Sequence, residues 1–274
     1  MTSAAPAASL AASPDGGPVG AFVRESLAIA DGEIRKLRRD PQELVTRAIQ
    51  PALWLIIFGE TFTHIRAIPT GNLSYLEFMA PGVLAQSVLF IAIFFGISVI
   101  WERDLGIIHK LLVSPAYRGA LVMGKAISAG LRGLTQAVII YLLALVLGIR
   151  LQWSVPSLLG VFAVVMVGAA LFATFSLIVA CLVKTRERFM GIGQVLTMPL
   201  FFASNAIYPL SIMPRWLQVV ARVNPLTYVV DALRGLMVQG GHTTIGFGVD
   251  FAFQIAAFVA LLAVAARLYP GLVR

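Results

Sequence analysis

The sequence has little charge and few of the residues from which catalytic and metal sites are built. Only 12% of its 274 residues are charged, whereas soluble domains carry about 25%. A single cysteine, Cys181, excludes an intrachain disulfide. The three histidines, His64, His109 and His242, are far apart, so no cysteine or histidine spacing typical of a metal site is present. The Gly-x-Ser-x-Gly motif of hydrolases is absent as well, so nothing in the sequence indicates an enzyme.

Ionisable residues are also scarce where a proton pump or an ion channel would need them. None of the 13 acids lies in the middle of a predicted membrane segment, although pumps and channels usually keep an ionisable group there. Arg132 is the one candidate, and it is interpreted either as a cation that extends to the lipid headgroups or as a pathway residue. No inverted repeat of the kind found in secondary transporters is evident. The chain is therefore predicted to be a passive scaffold that draws its energy from elsewhere.

Long apolar runs fill most of the sequence and predict membrane helices. Hydrophobic residues make up 59% of the chain, and a spanning helix needs about 20 of them because hydrocarbon offers no partner for backbone amides. Six runs reach or approach this length: 48–59 with Leu44 and Val45 added, 79–100, 126–149, 158–183, 189–214 and 251–268. The predicted fold class is an all-α polytopic membrane protein with six transmembrane helices.

The distribution of basic residues predicts the orientation of these helices. With the N-terminus in the cytoplasm, five of the 21 lysines and arginines fall on the outer side: Arg66, Arg150, Arg215, Arg222 and Arg234. Lysine and arginine favour cytoplasmic segments. Both termini are therefore predicted to be cytoplasmic, in a multi-pass protein of the plasma (inner) membrane. This bias also accounts for the net charge of +8, so nucleic acid is not expected as a partner.

The N-terminal part divides into a tail and an amphipathic segment. Residues 1–20 are dominated by Ala, Ser, Pro and Gly, which predicts a disordered tail and not a signal peptide; residues 21–274 are assigned to one transmembrane domain. Apolar residues then recur at helical spacing at Val23, Leu27, Ala30, Ile34 and Leu37, while Arg35, Lys36, Arg38 and Arg39 lie on other faces. This segment is interpreted as an interfacial helix whose basic residues reach lipid phosphates, or as a solvated juxtamembrane helix.

A sequence at residues 119–126 imitates a nucleotide-binding loop. Its spacing matches G-x-x-x-x-G-K, but Ala126 replaces the Ser or Thr that would hold magnesium. The residues between the glycines are apolar, and the predicted structure has no strand before the motif. Nucleotide binding by this chain is therefore not expected, and Lys125 is interpreted as a cytoplasmic anchor that extends to the headgroups.

Prolines interrupt the apolar stretch between residues 199 and 241. Because prolines break helices, this stretch is predicted to form external re-entrant half-helices; a loose external loop is the alternative. Asn224 is expected to satisfy backbone groups freed by Pro225, and Asp231 and Arg234 are predicted to pair because they are three residues apart on one helix. The predicted external gate comprises Phe201, Phe202, Tyr208, Asn224, Pro225, Asp231 and Arg234.

The run WERDLGIIHKLLVSPAYRGALVMGKAIS, which begins at Trp101, resembles the cytoplasmic segment of ABC-2 type transporter permeases. The features that carry the resemblance are Glu102, Arg103, Gly106, the apolar residues 111–113, Ser114, Pro115, Arg118, Gly124 and Lys125. Further matches are PALW at 51–54 with Phe58 and Gly59, APG at 80–82, and NPLT at 224–227 with DALR at 231–234. The chain most resembles the daunorubicin-resistance type of drug-export permease. His109 departs from the pattern, in which an acid is more common at this position.

The resemblance implies a coupling helix and separate partner subunits. Two permease chains, as a homodimer, would pair with two copies of an ABC ATPase that carries the ATP and Mg, and this chain would bind no metal or cofactor itself. Glu102, Arg103 and Asp104 would make charged contacts to the ATPase. The other residues implied in ATPase coupling are Leu105, Gly106, Ile108, Leu111, Leu112, Ser114 and Pro115.

The function expected on this basis is ATP-driven export of an amphipathic drug or lipid-like molecule. Export of a lipid-linked polysaccharide or cell-wall precursor is the alternative within transport, and the sequence does not decide between them. A membrane-embedded enzyme is disfavoured by the lack of clustered acids, histidines or a serine triad. A secondary transporter is disfavoured by the lack of central ionisable groups.

Overall fold

The computed structural model describes residues 49–65, 68–106, 118–183 and 185–269, together with a few positions between 20 and 31. Residues 49–53 are helical and continue into a π-helix, Trp54–Gly59, and the short helix α1, Glu60–Ile65. The helices that follow are α2 Tyr75–Asp104, α3 Arg118–Val146, α4 Val155–Leu182, α5 Arg186–Phe202, α6 Arg215–Val223, α7 Pro225–Met237 and α8 Phe247–Leu268. A 3₁₀ turn, Leu210–Ile212, precedes α6. The tail at 1–19, Arg35, Lys36, Arg38, Arg39 and residues 107–117 lie outside the described residues.

Four of the described helices are long and apolar enough to cross a membrane. They are α2, α3, α4 and α8, with 30, 29, 28 and 22 residues. At about 1.5 Å per residue, each exceeds the roughly 30 Å of a hydrocarbon core. The prediction of an all-α polytopic membrane protein is therefore confirmed, and four of its six predicted spans are present as single helices.

The other two predicted spans differ from long single helices. The fifth was expected to run to residue 214, but α5 has 17 residues and ends at Phe202, before turns at 203–209. Asn224 stabilises this break, because its amide nitrogen donates to the carbonyl oxygens of Leu200 and Ala203 at 2.6 and 3.1 Å. The first predicted span contains the π-helix, and its N-terminal part lies outside the described residues. Six spans therefore remain a prediction.

The helices α2 and α4 form the centre of the bundle, and small residues let a neighbouring helix and the turn that follows α5 approach closely. A side chain at Gly82 of α2 would meet the backbone of Ala206 at 2.5 Å. A Cβ atom at Gly133 of α3 would lie only 3.1 Å from the Val165 side chain and 3.2 Å from the Ala169 side chain of α4, which is a tight contact. Membrane helices have no hydrophobic driving force between them, so close packing of this kind holds them together.

The bundle has two ends that are about 45 Å apart along the 30 residues of α2. At one end α2 begins with a capping box, in which the Ser74 hydroxyl accepts from the Glu77 amide and the Glu77 carboxylate accepts from the Ser74 amide. We call this end, with the starts of α4 and α8, the Glu77 end. At the other end α2 finishes at Asp104, near the starts of α3 and α5, and we call this the Glu102 end.

Candidate functional site

A buried ion pair joins α2 and α3 at the Glu102 end. The ammonium of Lys125 lies 2.6 Å from a carboxylate oxygen of Glu102, and their side chains are only 4% and 9% exposed. The Lys125 ammonium also lies 5.6 Å from the centre of the Phe95 ring, within reach of a cation–π interaction. The interpretation of Lys125 as a headgroup anchor is therefore wrong. Because neither charge is tolerated alone in an apolar interface, Lys125 pairs within the chain.

This pair also changes the expected role of Glu102. The side chain was expected to contact an ATPase, but it is buried between two helices of its own chain. Within the described part of the chain Glu102 fixes the end of α2 against α3, and contact of this residue with an ATPase remains a prediction. The neighbouring residues of the predicted coupling segment have a different position.

A second, exposed cluster of charges connects α2 to α5. Asp104 accepts hydrogen bonds from Arg103 at 3.1 Å and from Arg186 at 2.9 Å. The Arg186 guanidinium lies 3.5 Å above the Trp101 ring, a cation–π contact. Leu105 is 67% exposed beside this cluster, and Gly106 has a φ of 70° that ends the helix. The described part of the coupling segment thus presents charges and apolar side chains on one surface. Ile108, Leu111, Leu112, Ser114 and Pro115 lie outside the described residues.

A cavity of about 320 Å³ opens beside the midpoint of α2. Its lining residues are Gln50, Pro51, Gln86, Ser87, Phe90, Ile91, Phe94 and Gln136. Gln136 of α3 is 1% exposed, and neither its amide nitrogen nor its amide oxygen has a hydrogen-bond partner among the described residues. The Phe90 and Phe94 rings stack at 6.0 Å. No local signal in the sequence indicates this cavity, because its glutamines are 36 or more positions apart in the chain.

The Glu77 end contains the predicted gate residues in a hydrogen-bonded network. The buried Asp231 carboxylate accepts from the Asn205 amide at 3.3 Å, from the Thr244 hydroxyl at 2.6 Å, and from the backbone N–H groups of Thr244 and Ile245 at 2.9 Å. The Arg234 guanidinium donates to the Asn205 carbonyl at 2.7 Å and lies 3.8 Å above the Phe78 ring. Asn205 therefore connects the two charged residues.

The prediction that Asp231 and Arg234 pair directly is wrong. Within the part of the chain that the structure describes, no ion pair joins them. The reason is that Asp231 is held by the turn before α8, whereas Arg234 reaches towards the start of α2. The prediction for Asn224 is confirmed, since its side-chain oxygen accepts from the Leu226 amide at 3.0 Å while its nitrogen holds the end of α5. Pro225 occupies the first position of α7, where its missing N–H costs nothing.

The predicted aromatic gate residues lie beside the first helical segment. Phe201 is buried, and its ring centre is 5.7 Å from that of Trp54 in an edge-to-face contact. Phe202 is 42% exposed and accepts a short hydrogen bond from the Tyr208 hydroxyl through its carbonyl oxygen. These contacts attach the segment 49–59 to the end of α5.

An exposed arginine stabilises the start of α2 at the same end. Arg150 donates to both carboxylate oxygens of Glu77, at 2.7 and 3.3 Å. These hydrogen bonds raise the pKa of Arg150 above its ordinary value. The loops that carry this end are also joined, because Gln239 donates its N–H to the Arg150 carbonyl and Gln152 donates its N–H to the Met237 carbonyl, each at 2.9 Å.

Asp250, which directly precedes the predicted last span at 251–268, is a buried acid. The structure starts α8 at Phe247, so Asp250 lies in its first turn. Asp250 and Gln254 are both 0% exposed. Neither carboxylate oxygen of Asp250, nor the amide oxygen of Gln254, has a hydrogen-bond donor among the described residues. The nearest signal in the sequence was the spacing of four residues, which puts both on one helix face.

Long apolar helices, a charged cluster at each end and a cavity lined by aromatic rings and glutamines characterise a polytopic membrane protein. Residues 24–238 match the family described as ABC-2 type transporter. The chain belongs to the ABC-2 type transporter family. It is accordingly a membrane-embedded transport permease and not an enzyme, and permeases of this kind work with a separate ABC ATPase subunit.

Similar proteins include permeases from several organisms. The putative transport permease ycf38 of Cyanophora paradoxa is 32% identical over 218 residues, which cover 78% of this chain and 74% of the relative. The daunorubicin resistance ABC transporter permease protein DrrB1 of Streptomyces coeruleorubidus is 26% identical over 234 residues, 85% of this chain and 80% of the relative. The probable doxorubicin resistance ABC transporter permease protein DrrC of Mycobacterium tuberculosis is 24% identical over 223 residues, 80% of this chain and 79% of the relative.

Proposed function

We propose that this chain is the permease subunit of an ATP-driven ABC exporter that moves an amphipathic drug or lipid-like molecule out across the plasma membrane. Two copies, as a homodimer, pair with two copies of an ABC ATPase. The ATP and Mg are bound by that ATPase, and this chain binds no cofactor. The drug-resistance names of two relatives support the substrate class, and the cavity beside the midpoint of α2 is the observation that carries the proposal.

The chemistry of this cavity suits an amphipathic molecule. A buried amide without a partner costs about 1–3 kcal/mol, so Gln136 favours a ligand or water that supplies both a donor and an acceptor. Gln86 is 5% exposed and lies on the same wall. Phe90, Ile91 and Phe94 provide an apolar surface next to these amides. Apolar walls with a few placed polar groups are typical of sites for drug-sized ligands.

The Glu102 end is proposed to meet the ATPase. An exposed Leu105 beside Asp104 and Arg186 gives this surface both apolar and charged contacts. The buried Glu102–Lys125 pair joins α2 to α3 next to this surface. Both helices also line the cavity beside the midpoint of α2. Movement of the ATPase would therefore be transmitted along two rigid helices to the residues that bind the substrate.

The Glu77 end is proposed to face outwards and to contain the gate. Four of the five arginines that the charge bias assigns to the outer side, Arg150, Arg215, Arg222 and Arg234, are described, and they lie in or next to the loops and short helices of this end. The short helices α6 and α7 are proposed to be the re-entrant half-helices, with α5 and residues 49–65 completing six spans. Both termini would then be cytoplasmic.

The N-terminal segment is proposed to lie along the inner membrane surface. The buried Ser26 hydroxyl donates to the Ala120 carbonyl at 3.3 Å, which holds the segment against the start of α3. Val23 and Leu27 are 48% and 55% exposed. Such an exposed apolar face suits contact with lipid, with the basic residues at 35–39 close to the headgroups.

Copurification with an ABC ATPase tests the assignment as a permease subunit. The tagged permease is expected to retain the co-expressed ATPase and to increase its ATP hydrolysis. Leu105→Glu is expected to reduce both. Val155→Glu is the matched control, because Val155 is 69% exposed at the start of α4 at the opposite end of the bundle, where a helix N-terminus favours an acid. Equal ATPase binding and stimulation by wild type and Leu105→Glu would contradict the proposed coupling surface.

Export of a lipid-linked polysaccharide or cell-wall precursor is the alternative function. The described cavity is small for a glycan chain, since about 320 Å³ lies at the lower end of drug-sized pockets of roughly 300–1,000 Å³. Transport of a lipid-linked oligosaccharide, without transport of a drug, would favour the alternative.

A further inference from the structure

A second cavity, with a volume of about 580 Å³, lies at the Glu77 end. We call it the basic vestibule. It lies between the loop that precedes α2, the turns that follow α5, the helix α7 and the turn that precedes α8. Three of its lining residues are basic: Arg222, Arg234 and His242. None of the described residues that line it is acidic.

Arg234 is fixed in this wall before any ligand is present. It is 4% exposed and stacks on Phe78, and its Nε and Nη2 donate to the Phe78 carbonyl at 3.4 Å and to the Asn205 carbonyl at 2.7 Å. A guanidinium has five N–H donors in a planar fork, so donors remain for a molecule in the vestibule. Because the side chain is already ordered, binding there loses little additional conformational entropy.

The nearby carboxylates are occupied by other partners. Asp231 accepts hydrogen bonds from Asn205, Thr244 and Ile245, and Glu77 is held by Arg150. Arg150 offsets the charge of Glu77. Asp231 accepts only from neutral donors and offsets part of the charge of Arg234, but it does not line the vestibule, whose lining contains two arginines and no acid among the described residues. Arginine matches phosphate geometry through its planar fork, and the electrostatic field of two arginines in a partly enclosed cavity favours an anion.

The rest of the vestibule wall is largely apolar. Leu73, Phe78, Leu210 and Ile245 line it together with the Tyr228 ring. An inorganic anion would leave this surface without a partner. An amphipathic anion would cover it with a hydrocarbon chain and place its charged group against the arginines, with about 25 cal/mol gained for each Å² of apolar surface buried.

We propose that the basic vestibule binds a phosphate ester carried on an alkyl chain, such as a lipid with an anionic headgroup. The proposal concerns the permease chain alone. It requires neither the ATPase nor transport, so its failure would leave the proposed function intact, and failure of the proposed function would leave this site intact.

Equilibrium binding of radiolabelled dodecyl phosphate to the purified full-length chain, in a neutral maltoside detergent, tests this site. The wild type is expected to bind saturably. Arg222→Gln is expected to weaken binding by about tenfold, since a charge-assisted hydrogen bond contributes about one such factor. Arg222 is exposed, so the variant should fold. Arg215→Gln removes an exposed arginine from the same short helix outside the vestibule, and it should bind like the wild type.

Two competitors of dodecyl phosphate binding test the contributions of the charged group and of the hydrocarbon chain separately. Inorganic phosphate is expected to displace dodecyl phosphate only at much higher concentration, because it cannot contact the apolar wall. Dodecyltrimethylammonium, with the same chain and the opposite charge, is expected not to displace it. Equal potency of inorganic phosphate would overturn the role of the apolar wall, and unchanged binding by Arg222→Gln would overturn the site.

Discussion

Lys125 and Glu102 form a buried ion pair between α2 and α3, with 2.6 Å between the ammonium and a carboxylate oxygen. The pair lies beside the surface proposed to meet the ATPase, and both of its helices line the midpoint cavity. It therefore gives a physical connection between the two proposed sites. Its contribution to the structure can be measured directly.

Removing one partner of this pair is expected to destabilise the permease strongly. Lys125→Met or Glu102→Gln breaks a buried ion pair in an apolar interface, and breaking such a pair costs about 3–5 kcal/mol. The double variant should recover part of this loss. Thermal unfolding in detergent measures the effect. Asp104→Asn, which weakens the exposed pair with Arg186, serves as the control and should cost about 1 kcal/mol or less. Single variants as stable as the wild type would contradict this account of the pair.

Two buried acids are expected to respond in opposite ways to the same substitution. Asp231→Asn replaces one of the two oxygens that accept four hydrogen bonds with an NH2 group, so two of these bonds are lost, and we expect a loss of about 2 kcal/mol in unfolding stability. Asp250→Asn removes a carboxylate that has no donor among the described residues, so stability should stay the same or rise. Thermal unfolding of the two purified variants makes the comparison, and a greater loss in Asp250→Asn would refute it.

The same network predicts the result of exchanging the charges at Asp231 and Arg234. The double variant Asp231→Arg/Arg234→Asp should not recover the stability of the wild type, because each residue has its own partners and Asn205 links them. Recovery in thermal unfolding would indicate a direct pair.

The packing of Gly82 in α2 against the turn that follows α5 is expected to tolerate no side chain. A methyl group there would meet the backbone of Ala206 at 2.5 Å, so Gly82→Ala should lower stability and expression in the membrane. Gly191→Ala is the matched control within α5, where nothing lies within 4 Å of the added carbon. That change should raise helix stability by about 1 kcal/mol. Thermal unfolding measures the change in stability caused by each substitution. Similar changes in Gly82→Ala and Gly191→Ala would argue against close packing at Gly82.

The sequence predicted the helical class and the long spans well because their signal is local. Residues 79–100 contain no charge, and hydrocarbon leaves helix as the only simple solution for such a run. The cap by Asn224 was also predictable, since asparagine before proline is a local pattern.

Contacts between helices were not predictable from residue spacing. Asp231 and Arg234 have the spacing of a pair, yet Asp231 accepts from the turn at Thr244 and Ile245 while Arg234 donates to the carbonyl groups of Phe78 and Asn205. Lys125 and Glu102 are 23 positions apart, and only the packing of α3 on α2 brings them together. The same applies to Gln86 and Gln136 in the midpoint cavity, where three-dimensional proximity creates the candidate site.

Cysteine labelling tests the proposed sidedness of the two ends. In a Cys181→Ala background, Arg215→Cys places a thiol at the exposed start of α6, and Arg188→Cys places one on the exposed surface near the start of α5. An impermeant maleimide added to intact cells should label position 215 and not position 188. Both should react after the membrane is opened. Reaction at position 188 in intact cells would contradict the proposed orientation and indicate the opposite one.

ATP-dependent drug uptake into inside-out membrane vesicles tests the central claim most directly. Vesicles that contain the permease and its ABC ATPase should accumulate doxorubicin when ATP is supplied, and vesicles with either protein alone should not. Gln136→Leu, which removes the buried amide of the midpoint cavity, should reduce the initial rate by about tenfold while the amount of assembled complex stays the same. Accumulation that is independent of ATP, or a wild-type rate in Gln136→Leu, would contradict export through this cavity.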